Sequence, residues 1–167
     1  ADTPTPLDRA LRGLASSASA LVFPVGRLWS AGTTELADAS RQQYGSVFIL
    51  PGIDGRSLLS LNIALGLSDG GVRSCIEVVD WTTGLFPLAL YHLRGRQLHE
   101  RGAQAIAERV AESLDRYPGR PVHLVGHSGG GGMALYALRE LAPGRRVTSV
   151  FLLGAAVSPD FDVRALL

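Results

Sequence analysis

Apolar residues follow two different patterns along the chain from Gly45 onward, and the change from one pattern to the other separates strands from helices. Continuous apolar runs at 46–50 and 122–126 predict buried strands, because a strand covered on both faces needs no polar alternation. Segment 96–117 places apolar residues at helical spacing with charges between them, which predicts an amphipathic helix. The same criteria predict strands at 74–81 and 146–156 and helices at 58–67 and 130–141.

The order of these elements predicts the fold class. Strands and helices alternate, and such alternation gives right-handed crossovers, a mostly parallel sheet and helices on both faces, which is an α/β architecture. A chain of 167 residues fits one domain. Residues 1–44 form an N-terminal helical segment in this interpretation, with a first helix that begins near Thr5 or Asp8.

Composition narrows the range of partners. The net charge of only +1 produces no strong positive potential that would attract a polyanion, so nucleic acid is not an expected partner. The single cysteine, Cys75, excludes an internal disulfide and a cysteine metal cluster, and it is predicted to be a small buried apolar side chain. No apolar run has the length of a membrane span, so membrane contact is not expected. No cofactor or metal motif is present, and the compartment stays open.

A Gly-His-Ser-Gly-Gly sequence at 126–130 is the strongest chemical signal in the chain. The bare Gly-x-Ser-x-Gly pattern is weak, and a glycine-rich turn without chemistry would also produce it. Here it follows a predicted strand and begins a predicted helix, which is the setting of a nucleophile elbow. Ser128 is therefore the predicted nucleophile, with Gly126, His127 and Gly130 as the elbow around it. The Gly129 N–H, at the helix N-terminus, is the predicted first oxyanion donor.

A second glycine-rich turn, "PGIDG" at 51–55, follows the strand at 46–50. The carboxyl ends of parallel strands lie at one edge of a sheet, where sites form. The backbone N–H of Ile53 is the predicted second oxyanion donor, and an ordinary turn is the alternative. Asp80, at the end of the next strand, is predicted to brace its loop with Thr82 and Thr83.

These segments resemble the α/β-hydrolase family. "SVFILPGIDG" (46–55) is similar to the third strand and oxyanion loop of that fold, and "VHLVGHSGGGGMALYAL" (122–138) is similar to its fifth strand, elbow and helix. "RVTSVFLLGAA" (146–156) is similar to the sixth strand, so 45–167 would carry strands three to six. The resemblance implies a Ser–His–acid triad with Ser128 as nucleophile and the Gly129 and Ile53 N–H groups as oxyanion donors.

The acid and the histidine of that triad are harder to place. Asp160, in "SPDFD", is the predicted acid because some members place it after the sixth strand, and turn formation is the alternative for it. Asp162 is the weaker choice. The family more commonly places the acid after its seventh strand, so an acid beyond Leu167 is the other possibility. His127 is expected to line the pocket, and His92 is a weaker candidate for the base. Segment 84–93 is expected to cover the core or to line an acyl pocket.

The family usually adds two strands after the sixth, and the catalytic histidine follows the eighth. We therefore expect the histidine beyond Leu167, with either a longer hydrolase or a second chain completing the sheet. The sixth strand would then be an exposed apolar edge.

Two functions follow from these observations. The first is a serine hydrolase that acts on carboxylic ester or related acyl bonds of a small molecule, through an acyl-enzyme on Ser128. The alternative is a non-catalytic α/β-hydrolase-like binding module, or an inactive fragment, that keeps the elbow for packing.

Overall fold

The computed structural model describes residues 4–19, 35–83 and 95–166. The N-terminal part forms helix α1 (Pro6–Ser19) and a short 3-10 helix (Ala39–Tyr44). The strands are β1 (Ser46–Leu50), β2 (Cys75–Val78), β3 (Val122–His127) and β4 (Ser149–Leu153). The remaining helices are α2 (Leu58–Asp69), α3 (Arg96–Arg116) and α4 (Gly129–Glu140), followed by a 3-10 turn (Arg164–Leu166).

The four strands form one parallel sheet in the order β2–β1–β3–β4. In its register Leu50 lies beside Gly126, and Gly126 lies beside Leu152. The strands therefore end nearly level, and the turns that follow β1, β2 and β3 meet at one edge of the sheet. This arrangement confirms the predicted parallel α/β class.

Successive side chains along each strand are buried on opposite faces of the sheet, because the strand is pleated. Phe48, Leu50 and Leu124 pack with α3 and α4 on one face. Val47 and Ile49 pack with Ala64 of α2 on the other face. Apolar cover on both sides explains why β1 is buried at all five positions and why its sequence shows no alternation. Cys75 is buried in β2, as predicted.

Two predicted strands are longer than the structure shows. The strand expected at 74–81 pairs only over Cys75–Val78, and Asp80 already belongs to the loop. The strand expected at 146–156 pairs only over Ser149–Leu153. Gly154, with φ +52°, then turns the chain toward the elbow, so the apolar residues after it join the site instead of the sheet.

The β4 strand lies at the edge of the described sheet and pairs with β3. Its side chains at Phe151, Leu152 and Leu153 are exposed, with Phe151 at 54%. An apolar edge of this kind agrees with the exposed sixth strand expected from the sequence.

Helix α1 attaches to α2 through polar groups. The Asn62 side chain donates to the Ser16 hydroxyl at 2.9 Å, and Arg12 pairs with Asp69. Its Leu7, Leu11 and Leu14 side chains are exposed. Among the described residues, no helix combines the length and the hydrophobicity that crossing a membrane requires.

Candidate active site

Ser128 stands in a strained backbone conformation between β3 and α4. Its φ is +50° and its ψ is −119°, and it is the single non-glycine residue with positive φ in the described part of the chain. Such a conformation costs on the order of 1–3 kcal/mol and persists only where the surroundings enforce it. The turn therefore has the backbone geometry that a nucleophile elbow requires.

Hydrogen bonds on both sides fix the Ser128 backbone. Its N–H donates to the Leu153 carbonyl at 3.0 Å, and its carbonyl accepts from Gly131 at 3.0 Å and Ala156 at 2.9 Å. The elbow is thus bonded to the end of β4 and to the loop that follows β4. These contacts hold the strained residue in place.

Glycines around Ser128 are required by close backbone approach. A Cβ on Gly130 would lie 2.0 Å from the Leu50 carbonyl oxygen, and a Cβ on Gly126 would lie 2.6 Å from the Gly131 Cα. At Gly131 itself, a Cβ would lie 2.3 Å from the Ala155 Cβ. These close approaches explain why Gly126 and Gly130 must be small, as the sequence predicted. Gly131 was missed, although the unbroken run of glycines at 129–132 was a signal for it.

The turn after β1 lies directly over the elbow. A Cβ on Gly52 would sit 3.4 Å from the Ser128 Cβ, and a Cβ on Gly129 would sit 3.7 Å from the Ile53 nitrogen. The backbone of Ile53 therefore lies beside Gly129, the first residue of α4. Two N–H groups near one serine at a helix N-terminus have the composition of an oxyanion hole. The assignment of Ile53 and Gly129 as the donors stays a prediction.

Asp80 joins two of the turns at this edge of the sheet. Its carboxylate accepts the Arg56 backbone N–H at 2.9 Å and, through its other oxygen, the Thr82 N–H and hydroxyl at 2.9 and 2.7 Å. The predicted bracing by Asp80 is confirmed for Thr82. The bond to Arg56 was not predicted, and it holds the end of the turn that carries Ile53.

Trp81 forms a fixed wall beside the elbow. Its indole N–H donates to the Pro51 carbonyl at 2.7 Å, and the residue is 6% exposed. Its Cζ2 atom lies 3.3 Å from the position that a Cβ on Gly129 would take. The sequence showed Trp81 only as the end of a strand, and no motif marked it as part of the site.

A cavity of about 170 Å³ lies next to Gly129. Its walls come from the turns after β1 and β2, helix α4 and the loop after β4. A larger cavity of about 530 Å³ adjoins it and shares His99 and Tyr136 with it. Charged side chains line that larger cavity, and no elbow residue is among its described walls. The smaller cavity is therefore the one that opens beside the candidate nucleophile.

The "SPDFD" segment forms a turn, which is closed mainly by backbone N–H groups. Asp160 is exposed and its N–H donates to the Ser158 hydroxyl at 3.2 Å, while the Phe161 N–H closes a turn onto the Ser158 carbonyl at 3.0 Å. Asp162 accepts from the Arg164 N–H at 2.9 Å. The turn interpretation of these residues is confirmed, and the catalytic role of Asp160 stays a prediction.

The histidines lie in three different settings. His127 is half-buried, with its Nδ1 atom 3.4 Å from the position of a Cβ on Gly52, so it faces the turn after β1. His123 bonds to the Ser149 hydroxyl at 2.7 Å and thereby joins β3 to β4. His99 packs edge-on against Trp81, with 5.7 Å between ring centroids. His92 and segment 84–93 lie outside the described residues.

Within residues 4–19, 35–83 and 95–166, no hydrogen bond joins the Ser128 hydroxyl to a histidine. In the same ranges, no group of three or more His, Cys, Asp or Glu side chains is arranged to bind a metal ion. The described part of the site is therefore a serine held among backbone N–H groups and apolar walls.

Comparison with known proteins agrees with this geometry. A family model described as alpha/beta hydrolase fold matches residues 86–167, which include β3, the elbow, α4 and β4. No curated protein and no solved structure matches the chain significantly.

Proposed function

Because residues 86–167 belong to the alpha/beta hydrolase fold family, we propose that Ser128 is the nucleophile of a serine hydrolase acting on carboxylic ester or related acyl bonds. The observation that carries this proposal is the backbone of Ser128, strained at φ +50° between a buried strand and a helix. A packing turn has no need of a serine there, since glycine would adopt the same conformation without strain.

The chemistry begins with attack of the Ser128 hydroxyl oxygen on the carbonyl carbon. A general base takes the hydroxyl proton, and the carbonyl oxygen becomes an oxyanion beside the N–H groups of Ile53 and Gly129. Collapse of this intermediate breaks the bond to the alcohol, which leaves with the proton. Water then attacks the acyl-enzyme, releases the acid and returns a proton to Ser128. The base in this scheme is a histidine.

Labelling by a fluorophosphonate probe tests the assignment. In the full-length protein we expect the probe to modify Ser128, identified by mass spectrometry of the labelled peptide. Ser128→Ala should abolish labelling, whereas Ser57→Ala, which changes the serine at the start of α2, should leave it unchanged.

A folded protein that is not labelled at Ser128 would overturn the proposal. Folding is checked separately by circular dichroism and by cooperative thermal unfolding. If Ser128→Ala leaves ligand binding intact and no p-nitrophenyl ester is turned over, the non-catalytic binding module becomes the better account.

A further inference from the structure

The 170 Å³ cavity beside Gly129 is built mostly from aromatic and aliphatic side chains. Its rings contact one another in sequence: His99 lies near Tyr136, at 6.4 Å between centroids, and Tyr136 lies near Phe161, at 6.0 Å. Met133, which is 1% exposed, lies in the same wall. The described lining contains no carboxylate and no arginine.

The cavity begins where the substrate carbonyl would sit. Ile53 and Gly129, whose N–H groups are the assigned oxyanion donors, both line it. The Ile53 Cγ2 atom lies 3.2 Å from the position of a Cβ on Gly129, so the absent side chain of Gly129 leaves this entrance open. A carbonyl group bound at these donors therefore has one substituent directed toward the cavity.

Several contacts make the walls rigid. Trp81 is held by its bond to the Pro51 carbonyl, and the Phe161 ring packs under the Arg139 guanidinium at 4.3 Å. Helix α4 contributes Gly132 and Met133 to the cavity lining, and Ala156 and Val157 of the loop after β4 belong to the same lining. A rigid apolar wall selects a substrate by size, because an overlong group cannot be accommodated by repacking.

We propose that this cavity is the acyl pocket and that it restricts the acyl group to an uncharged chain or ring of about six carbons; this inference rests on the proposed hydrolase function. An apolar cavity of about 150 Å³ accepts benzene, so one of similar volume takes a group of that size. A charged acyl group is disfavoured, because the described lining holds no carboxylate and no arginine to pair with it.

A series of p-nitrophenyl alkylphosphonates tests the pocket, since the alkyl group on phosphorus occupies the place of the acyl chain. Methyl, butyl, hexyl and decyl probes are compared by their rates of Ser128 labelling in the full-length protein. We expect the rate to rise as far as hexyl and to fall at least about tenfold at decyl, a step typical of one steric limit in an apolar pocket.

Substitution of Gly132 places a side chain inside the cavity. A Cβ there meets only the Ala156 carbonyl oxygen, at 3.6 Å, so the fold tolerates it. Gly132→Leu should move the length limit to butyl or shorter while methyl labelling is kept. Gly66→Leu is the matched control, because a Cβ on this glycine of α2 has no neighbour within 4 Å. Phe161→Ala removes a ring from the cavity wall and should extend the limit to alkyl groups longer than hexyl.

The outcomes separate the two proposals. If no probe labels Ser128, the hydrolase function itself fails. If all chain lengths label Ser128 equally, or if Gly132→Leu leaves the limit unchanged, the hydrolase stands and the acyl pocket is overturned. The pocket is also overturned if, in esters, the limit follows the length of the alcohol and not of the acid.

Discussion

Helices α2 and α4 both begin with a serine at the same edge of the sheet, and the two serines have very different backbone conformations. Ser57, before α2, has an ordinary extended backbone with φ −143° and ψ 173°. The Ser60 hydroxyl accepts the Ser57 N–H at 3.0 Å and donates to the Ser57 carbonyl at 2.9 Å, so this helix start is closed by side-chain bonds. Ser128, before α4, has φ +50° and ψ −119°, and the hydroxyls of Ser57 and Ser128 alike make no cap bond to their own helix.

The difference shows that one residue type at one helix position can adopt a relaxed or a strained backbone. An N-cap serine normally satisfies a backbone N–H of its own helix and stabilises it by about 1 kcal/mol. At the start of α2 the side-chain bonds come from Ser60 and not from Ser57, whereas the backbone of Ser128 is held by bonds to Leu153, Gly131 and Ala156. Three predictions test how helix starts are stabilised in this chain.

The largest effect is expected at Gly130. Gly130→Ala would force a methyl group against the Leu50 carbonyl oxygen, 2.0 Å from the ideal Cβ position, and neither backbone can move freely. Such overpacking should lower the free energy of unfolding by about 3 kcal/mol. Urea denaturation monitored by circular dichroism measures this loss.

Gly132→Ala, two residues along the same helix, is the control for that change. Its Cβ makes ordinary contact at 3.6 Å, so the helical preference of alanine over glycine should raise stability by about 0.5 kcal/mol. Equal denaturation midpoints for the two variants would mean that the close approach of elbow and β1 is not a constraint.

The second prediction compares the two serines directly. Ser128→Gly should raise the free energy of unfolding by about 1 kcal/mol, because glycine adopts the positive φ without strain. Ser57→Gly should change it by only a few tenths of a kcal/mol, because the Ser57 hydroxyl has no hydrogen-bond partner to lose and the bonds at this helix start come from Ser60. Both variants are measured by the same urea denaturation. A lower stability for Ser128→Gly would show that the serine conformation is not strained.

The smallest expected effect is the pH dependence of the N-terminal cap of a third helix, α1. Thr5 donates to the Asp8 carboxylate through its N–H and its hydroxyl, at 2.9 and 2.6 Å, and these bonds hold the pKa of Asp8 below its ordinary value. A lowered folded-state pKa means that the stabilisation is complete above the unfolded pKa and is lost as the pH falls through the folded pKa. Helix α1 should therefore lose its N-terminal cap only below about pH 4.

NMR titration of the Asp8 carboxyl carbon measures that shift. Thr5→Val removes the hydroxyl and should move the pKa upward. Unchanged titration in Thr5→Val would contradict the role of the side-chain bond.

The sequence predicted the sheet well because each strand is a continuous apolar run between turn residues. The run at 46–50 coincides with β1, since both of its faces are covered. Strand ends were predicted less well. The residues directly after Leu153 are also apolar, but the chain leaves the sheet there and Ala156 bonds to Ser128. Hydrophobicity alone therefore does not show where the strand ends.

The candidate site was predictable only where a residue type is required locally. Gly126 and Gly130 could be found because close packing at a strand-to-helix turn demands glycine. The walls of the cavity could not, since Trp81, Tyr136 and Phe161 lie far apart in sequence and meet only through the fold. Asp80 was found as a loop brace, whereas its bond to Arg56 depends on the order of strands in the sheet.

The bonds of Ser128 to Leu153 and Ala156 have a consequence for folding. The conformation of the elbow depends on β1 on one side, across the Leu50 carbonyl, and on the end of β4 on the other. Both contacts are remote in sequence, and remote contacts form late because their loop-closure entropy must be met first. A partly folded chain with β4 undocked would have β3 and α4 but not the bonds that hold Ser128 in its strained conformation. The geometry of this turn is therefore a property of the assembled strands β1, β3 and β4 and not of the local sequence.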